Sequence, residues 1–329
     1  MWSSDASDCI VQNGEILIAR SNTPELVGRV AMFNGEAPGA VASDLTIRIC
    51  PDGEIHGEFL TQYLSALYLS RYWRERAGGA SGTMKKITRG QILTELIPVP
   101  PLDEQRSVAS ELARCLAVVQ QAQVAVAGQI DGCNALSHSI VSQSVTSSSR
   151  SLVPIGHALD EVTQGVGVRW SEHRVLGATR SGLAPARERP GKHAERYKPV
   201  TAGTVFYNPM RILIGSIAFV DDDDEPGITS PDYVVLKGKP GVVDSRWFYY
   251  WLRSPLGERC IQSLARGAVR ERMLFNRLAE GEIELPDYDT QVKASKALAQ
   301  IKPMRAAILK QLAELELLPQ KLLAQVFES

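Results

Sequence analysis

Residues 1–97 mix short β-like apolar runs with one aromatic-rich helical stretch, and beyond Pro100-Pro101 the pattern changes. There Val108, Leu112, Cys115, Val119, Ala122, Val126, Gln129, Cys133, Leu136 and Ile140 follow one another in alternating steps of four and three. A 3.5-residue repeat held this long predicts a helix with a coiled-coil seam; the alternative is a buried helix of a single globular domain. Asp103 is the expected N-cap. At about 1.5 Å per residue the stretch from Val108 to Ile140 extends roughly 50 Å, unless Gly128 and Gly132 interrupt it. A second helical stretch carries Ala297, Ile301, Met304, Ile308, Leu312, Leu315, Leu318 and Leu322 on one face. Kinks or breaks are expected at Pro303 and Pro319, each of which lacks a backbone donor. The segment from Ser137 to Ser151 is serine at every second position on average and reads as the end of the first helix and a hinge.

The chain also repeats itself. VQNGEILIAR–SNTPELVGRVAMF resembles VTAGTVFYN–PMRILIGSIAFV, matching Gly14 to Gly203 and Gly28 to Gly215 at offsets of 189 and 187. VASDLTIRI matches ITSPDYVVL, and Ser43 and Ser230 again differ by 187. Aromatic-rich helical stretches, two basic loops and Pro-bearing strands then follow in the same order, and Gln105 and Gln291 differ by 186. The unit of organisation is a mixed α/β globule followed by a long helix, used twice. Gly14 stands close to the start of the chain, whereas the whole stretch from Leu152 to Ala202 precedes Gly203. The first globule is therefore expected to lack the leading third of the second.

Composition adds bounds. The chain has 329 residues, 44% hydrophobic and 22% charged, which is an ordinary globular balance and suits two domains. No run of about 18 apolar residues predicts a spanning helix. The start, MWSSDASDCI, predicts no signal peptide. The five cysteines are odd in number and form no CxxC pair, which suits reduced thiols in a cytoplasm. A net charge of -1 alone speaks against a nucleic-acid binder, but half of the basic side chains fall within residues 151–285.

The order globule, long helix, globule, long helix resembles the DNA-specificity subunits of type I restriction–modification enzymes. The residues that carry the likeness are SerGlyThrMetLysLysIle at 81–87 and Ile97-Pro98-Val99-Pro100-Pro101-Leu102-Asp103-Glu104-Gln105, directly ahead of the coiled-coil helix. A weaker second copy, LeuProAspTyrAspThrGln, stands at 285–291. The resemblance implies an α+β fold with target-recognition domains at 1–101 and 151–287. Spacer helices follow at 102–146 and 288–329 and pair as an antiparallel coiled coil. It implies a non-catalytic, cytoplasmic subunit that reads a bipartite target on double-stranded DNA and docks methyltransferase and restriction/translocase subunits. S-adenosylmethionine, ATP and Mg then belong to those partners, and the chain itself holds no cofactor. Self-association through the helices is a further expectation. Leu112, Val119, Val126, Leu312, Leu315 and Leu322 are the candidate partner-binding positions. The short first domain leaves a second reading open, a truncated or regulatory variant that binds methyltransferase with one competent DNA-reading domain.

Reading bases requires Arg, Lys, Asn or Gln at base edges, and affinity requires phosphate contacts. Residues 76–90 supply Arg76, Lys85, Lys86 and Arg89 with no carboxylate, beside Ser81 and Thr83, whose hydroxyls suit phosphate oxygens. The equivalent residues 261–277 supply Arg266, Arg270, Arg272 and Arg277 against Glu271. Arg169, Arg174 and Arg180 add a third basic stretch, with Arg180 in a Thr-Arg-Ser-Gly segment aimed at a guanine edge. Arg20, Asn22 and Arg29 are comparable candidates in the first globule. The run Asp221–Glu225 reads as a solvated hairpin tip in preference to a cation site. Asn208-Pro209-Met210 hints only weakly at an amino-methyltransferase motif, without its second proline and aromatic. The five histidines have no ligand spacing, and no phosphate-binding loop, dinucleotide fingerprint or nucleophile elbow occurs, so neither a metal site nor a catalytic residue is predicted.

Overall fold

The computed structural model describes residues 9–79, 83–147, 149–265 and 272–327. The chain divides into two compact units, residues 1–127 with 309–329, and residues 128–308.

The first unit contains β1 (Ile16–Ala19), β2 (Ser21–Asn22), β3 (Val30–Met32), β4 (Thr46–Ile49) and β5 (Lys85–Lys86). Its helices are α1 (Gly57–Leu69), α2 (Tyr72–Arg76), α3 (Arg89–Leu93) and the first half of α4 (Leu102–Thr146). β1 lies between β3 and β4, antiparallel to both. Period-two alternation sends Ile16 and Ile18 into a core with Leu60, Leu64, Trp73 and Ile87. Glu15, just ahead of β1, is buried, yet it is paired: Arg48 on β4 donates to it through Nε at 2.9 Å and Nη2 at 2.6 Å. Those hydrogen bonds hold its pKa at about 2, and the carboxylate stays ionised well into acid.

The second unit contains β6 (Arg150–Pro154), α5 (Ile155–Ala158), β7 (Leu159–Glu161), β8 (Leu176–Thr179), β9 (Gly182–Pro185) and β10 (Lys198–Val200). After these come β11 (Thr204–Tyr207), β12 (Ile217–Val220), β13 (Gly227–Thr229) and β14 (Val234–Gly238). The unit goes on through α6 (Ser245–Leu252), α7 (Pro255–Leu264), α8 (Phe275–Leu278), β15 (Glu282–Pro286) and α9 (Tyr288–Leu298) into α10 (Ile301–Phe327). β11 lies between β12 and β14 as β1 lies between β3 and β4. β14 also pairs with β7, and β15 pairs with β6. Among the described residues β4 has β1 as its ladder partner and no other.

The sequence repeat is a repeat of hydrogen bonds. Gly14 N–H donates to the Phe33 carbonyl at 2.8 Å, and Gly203 N–H donates to the Val220 carbonyl at 2.9 Å. Both glycines sit in the left-handed region, at φ +87° and +78°, where a side chain is strained. Gln105 and Gln291 are buried and perform the same task. Gln105 Oε1 accepts from the His56 N–H at 2.8 Å, and its Nε2 donates to the carbonyls of Glu54 and Pro100. Gln291 Oε1 accepts from the Asp244 N–H at 3.0 Å, and its Nε2 donates to the carbonyls of Val242 and Pro286. Each amide ties the start of an aromatic-rich helix, α1 or α6, to the start of the helix that carries the glutamine.

Helix pairing is antiparallel. In the first unit Leu112 packs with Ala66 and Leu323, and Gln123 Nε2 donates to the Leu315 carbonyl at 3.0 Å, so partner numbers fall as α4 advances. In the second unit Arg305 donates to Asn134 at 3.0 Å, and Trp247 Nε1 donates to Ser144 Oγ at 2.8 Å. Of the predicted seam, Leu112, Val119, Val126 and Cys133 are buried. Cys115, Gln129 and Leu136 are exposed, because the alternate positions fall one residue later, at Leu116, Gln123, Ile130 and buried Ser137. In α10, Ile301 and Ile308 are buried, Leu312, Leu315, Leu318 and Leu322 are half-buried, and Met304 is exposed; Ala297, in α9, is exposed as well.

Three local expectations need correction, and a fourth gains partners. Asp103 lies within the first turn of α4, not ahead of it, so it acts through the helix dipole instead of as the cap. The helix break falls at 299–300, before Pro303, whose missing donor is harmless in the first turn of α10; Pro319 lies inside the same helix. The Ser-rich stretch is helical through Thr146, with Ser137 and Ser144 buried, so it is not a flexible hinge over that length. The acidic run is exposed at Asp222, Asp223 and Glu225 as expected of a hairpin tip, but it is also ion-paired: Arg246 on α6 pairs with Asp221 and Asp222, and Lys302 on α10 pairs with Asp223 and Asp224. The Lys302 hydrogen bond lowers the pKa of Asp223.

Gly128 and Gly132 lie inside α4, and a Cβ at either meets no atom within 4 Å. Alanine at each position is expected to stabilise the chain by about 0.5–1 kcal/mol through helix propensity and a less disordered unfolded state. A urea midpoint that rises with unchanged slope is the expected reading.

Candidate functional site

In the first unit the connection from β1 to β3, residues 20–29, turns back so that β2 pairs with β5 in the register Ser21↔Lys86 and Asn22↔Lys85. That pairing sets Asn22 opposite Lys85, with Arg20 and Lys86 next to them in the chain. Arg20 leaves the end of β1, its carbonyl accepting from the Ile87 N–H at 2.9 Å. Asn22 Oδ1 accepts from the Thr23 N–H, which leaves the amide's donors on a half-exposed side chain. Lys86 is fully exposed, and Lys85 is half-buried with Nζ 3.5 Å from the Ala77 carbonyl. Arg29 closes the loop, exposed, with its carbonyl accepting from the Ala19 N–H. Thr83 is exposed in the turn ahead of β5, whereas Ser81 lies outside the described residues.

The second unit builds the same arrangement. The connection from β11 to β12, residues 208–216, is met by Met273, whose N–H donates to the Pro209 carbonyl at 3.1 Å. Pro209 and Met273 occupy the repeat positions of Ser21 and Lys85, both at an offset of 188, so in both units a β-hairpin loop meets the basic loop. Exposed Arg272 adjoins this contact and pairs with Asp232 at 3.0 Å. Arg180, exposed at the β8–β9 turn, lies beside the hairpin loop, and Ser216 Oγ donates to the Ala178 carbonyl at 2.7 Å. Among the described residues Arg180 makes no ion pair.

Other predicted residues lie elsewhere. Arg174 sits at the opposite end of β8 and is paired with Glu225. Arg169 is exposed on the 3-10 turn Gly167–Glu172, which packs on the turn Ala194–Arg196. Arg266 and Arg270 lie outside the described residues. Leu112, Val119 and Val126 are buried within the chain, so these positions close its own helix seam. The Asn208 side chain accepts from the Met210 N–H at 2.9 Å and is committed to its own turn, unlike a substrate-binding amide. Among the described residues no cluster of His, Cys, Asp and Glu could hold a metal, and no helix is long and apolar enough to cross a membrane.

Sequence reading passed over the loop from Met210 to Ile214, where Met210, Arg211, Leu213 and Ile214 are exposed. The Ile-Leu-Ile run imitates the start of a strand, and only the left-handed Gly215 behind it marks a loop. It also passed over Arg253, half-buried just after α6, because an arginine that follows an aromatic helix carries no distinguishing pattern.

The family profile described as "Type I restriction modification DNA specificity domain" matches residues 3–120. No curated protein sequence matches the chain. Among solved structures, one determined for the structural basis of complex assembly and conformational transition of the type I R-M system is similar, with a TM-score of 0.67 and 17% identity. That likeness covers 96% of this chain and 82% of the other. The HsdS subunit from Thermoanaerobacter tengcongensis gives a TM-score of 0.50 at 17% identity, over 97% of this chain and 81% of that one. The type I restriction–modification S subunit from M. genitalium gives 0.50 at 15% identity, over 97% and 84%. At these identities the likeness is one of fold.

Proposed function

We propose that the chain is a DNA-specificity subunit of a type I restriction–modification system and that each unit reads one half of a bipartite duplex target; the family profile over residues 3–120 and the shared fold support this reading. Specificity subunits recognise and do not catalyse; S-adenosylmethionine and ATP are handled by partner subunits. The observation that carries the reading is the same pair of loops brought together in both units, the β1–β3 loop with residues 83–86 and the β11–β12 loop with residues 272–273. In the first unit Asn22 and Lys85 are cross-strand partners with Arg20 and Lys86 adjoining them in the chain, and Arg180 and Arg272 flank the hairpin loop in the second. Guanidinium and amide groups on exposed loops have the donor geometry for base edges, and lysine ammonium groups suit phosphates. Ser81, Thr83, Arg266 and Arg270 extend the same basic loops in sequence, and Arg29 lies at the rim; Arg169 and Arg174 stand apart from these loops, Arg174 paired with Glu225.

Functionally the chain reads as recognition domains at 1–101 and 151–287 with spacer helices at 102–146 and 288–329. The spacer helices dock methyltransferase and restriction subunits in the cytoplasm. Because the seam positions face inward, the docking residues belong to the outer faces of these helices, where Val118, Val124 and Leu309 are exposed. The test is a methylome of cells that express the chain with its methyltransferase subunit. A bipartite adenine motif that depends on the chain is expected. With Arg180→Ala, discrimination at one base of one half-site should fall by about 1–3 kcal/mol while the other half-site is unchanged. Complex assembly without any sequence preference would overturn the reading and favour a scaffold variant.

A further inference from the structure

The β8–β9 turn and the β11–β12 loop are remote in sequence, yet one side chain ties them together. Arg253 Nη2 donates to the Arg180 carbonyl at 2.6 Å, while Nη1 donates to the Ile217 carbonyl at 3.0 Å and reaches the Gly215 carbonyl at 3.4 Å. Its guanidinium stands 5.4 Å from the centre of the Tyr249 ring, and the Tyr249 hydroxyl faces Gly182 in the same turn. A planar five-donor group can satisfy carbonyls on two backbone segments at once, which a lysine ammonium on a flexible stem does poorly. The cleft it spans holds about 400 Å³ and is bordered by Arg180, Leu213, Ile214 and Arg253, with the Glu258 carboxylate also on its lining. Leu213 is 50% exposed and Ile214 65% exposed, on the same cleft as Arg180. In the major groove the C5-methyl of thymine is the apolar mark, and guanine offers two acceptors to arginine.

We propose that Arg253 is a positioning residue that locks Arg180 and the Leu213–Ile214 tip into one base-reading element, the guanidinium of Arg180 reading guanine and the apolar tip a neighbouring thymine methyl. The inference rests on DNA reading by the second unit. In this assignment Arg253 acts through the backbone it holds, three carbonyls engaging its two terminal nitrogens.

The test is selection from a randomised duplex library by the full chain assembled with its methyltransferase subunits, for wild type, Arg253→Lys, Arg253→Gln and the double variant Leu213→Ser/Ile214→Ser. Arg253→Gln should flatten base preference in one half-site by about tenfold or more, with the salt dependence of binding unchanged, since no phosphate contact is lost. Arg253→Lys should restore part of that preference. The double variant changes only exposed side chains, keeps the thermal midpoint, and should lose preference for thymine at one position. Unchanged preference in Arg253→Gln, a salt slope reduced by about one, or an intact thymine preference in the double variant would overturn the inference. If wild type selects no sequence in that half-site, the DNA-reading proposal fails and the inference falls with it. If wild type selects and the variants match it, only the inference fails.

Discussion

Replacing Gln291 by leucine is expected to destabilise the second unit by about 3 kcal/mol or more. The side chain is fully buried, and leucine fills nearly the same volume, so the loss is almost purely polar. It would strand the Asp244 N–H and the carbonyls of Val242 and Pro286, which the amide now satisfies. An unsatisfied buried backbone group costs about 1–3 kcal/mol, and relaxation keeps three of them from adding in full. Gln105→Leu should act alike on the first unit through His56, Glu54 and Pro100. Urea unfolding followed by amide exchange, read separately in the β1 and β11 sheets, checks both variants. Each should lower protection in its own unit, and a loss below about 0.5 kcal/mol would show that the amide is replaceable.

Leu112→Asp should have an effect at least as large. Leu112 is 4% exposed and packs between Ala66 of α1 and Leu323 of α10. Truncating a buried leucine costs about 2–5 kcal/mol, and burying an unpaired carboxylate adds to it. The expected result is release of residues 309–327 from the first unit, read as rapid proteolysis there, with loss of methyltransferase in a pull-down. Val118→Asp, on the exposed face of the same helix, should change stability by less than about 0.5 kcal/mol and serves as the comparison for stability and proteolysis, not for docking. Equal effects of the two substitutions on stability and proteolysis would mean that α4 is not held by this seam.

The repeat was the most legible part of the sequence, and Gln105 and Gln291 show why. A residue that must satisfy the same three backbone groups in both copies leaves a fixed spacing in the chain, as do Gly14 and Gly203 with their left-handed backbones. Helix periodicity was legible for half of the seam. Leu112, Val119, Val126 and Cys133 repeat every seven residues, but the intervening positions include Gln123 and Ser137, whose polar side chains hide the register. Of the site, the hairpin and basic loops were visible as charge, while their meeting was not, because Asn22 and Lys85 are remote in sequence and their register depends on tertiary pairing. The ion pairs of the acidic run were hidden for the same reason. Arg246 and Lys302 lie far from it in sequence, and a string of aspartates looks solvated until its counterions are placed.

That acidic run gives the second unit an electrical polarity. Arg180, Arg211 and Arg253 gather at the end of β12 that begins with Ile217, whereas Asp221 to Glu225 follow its other end at Val220. Arg174, Arg246 and Lys302 pair with this run, and its five carboxylates still outnumber the three cations. On the proposed reading of DNA by this unit, such a separation of charge favours an encounter with the arginine end forward. The benefit falls on the encounter rate, and it should fade as ionic strength shortens the Debye length from about 10 Å at 0.1 M towards about 3 Å at 1 M. A chain of net charge -1 can therefore approach DNA with a preferred orientation while gaining little from its total charge.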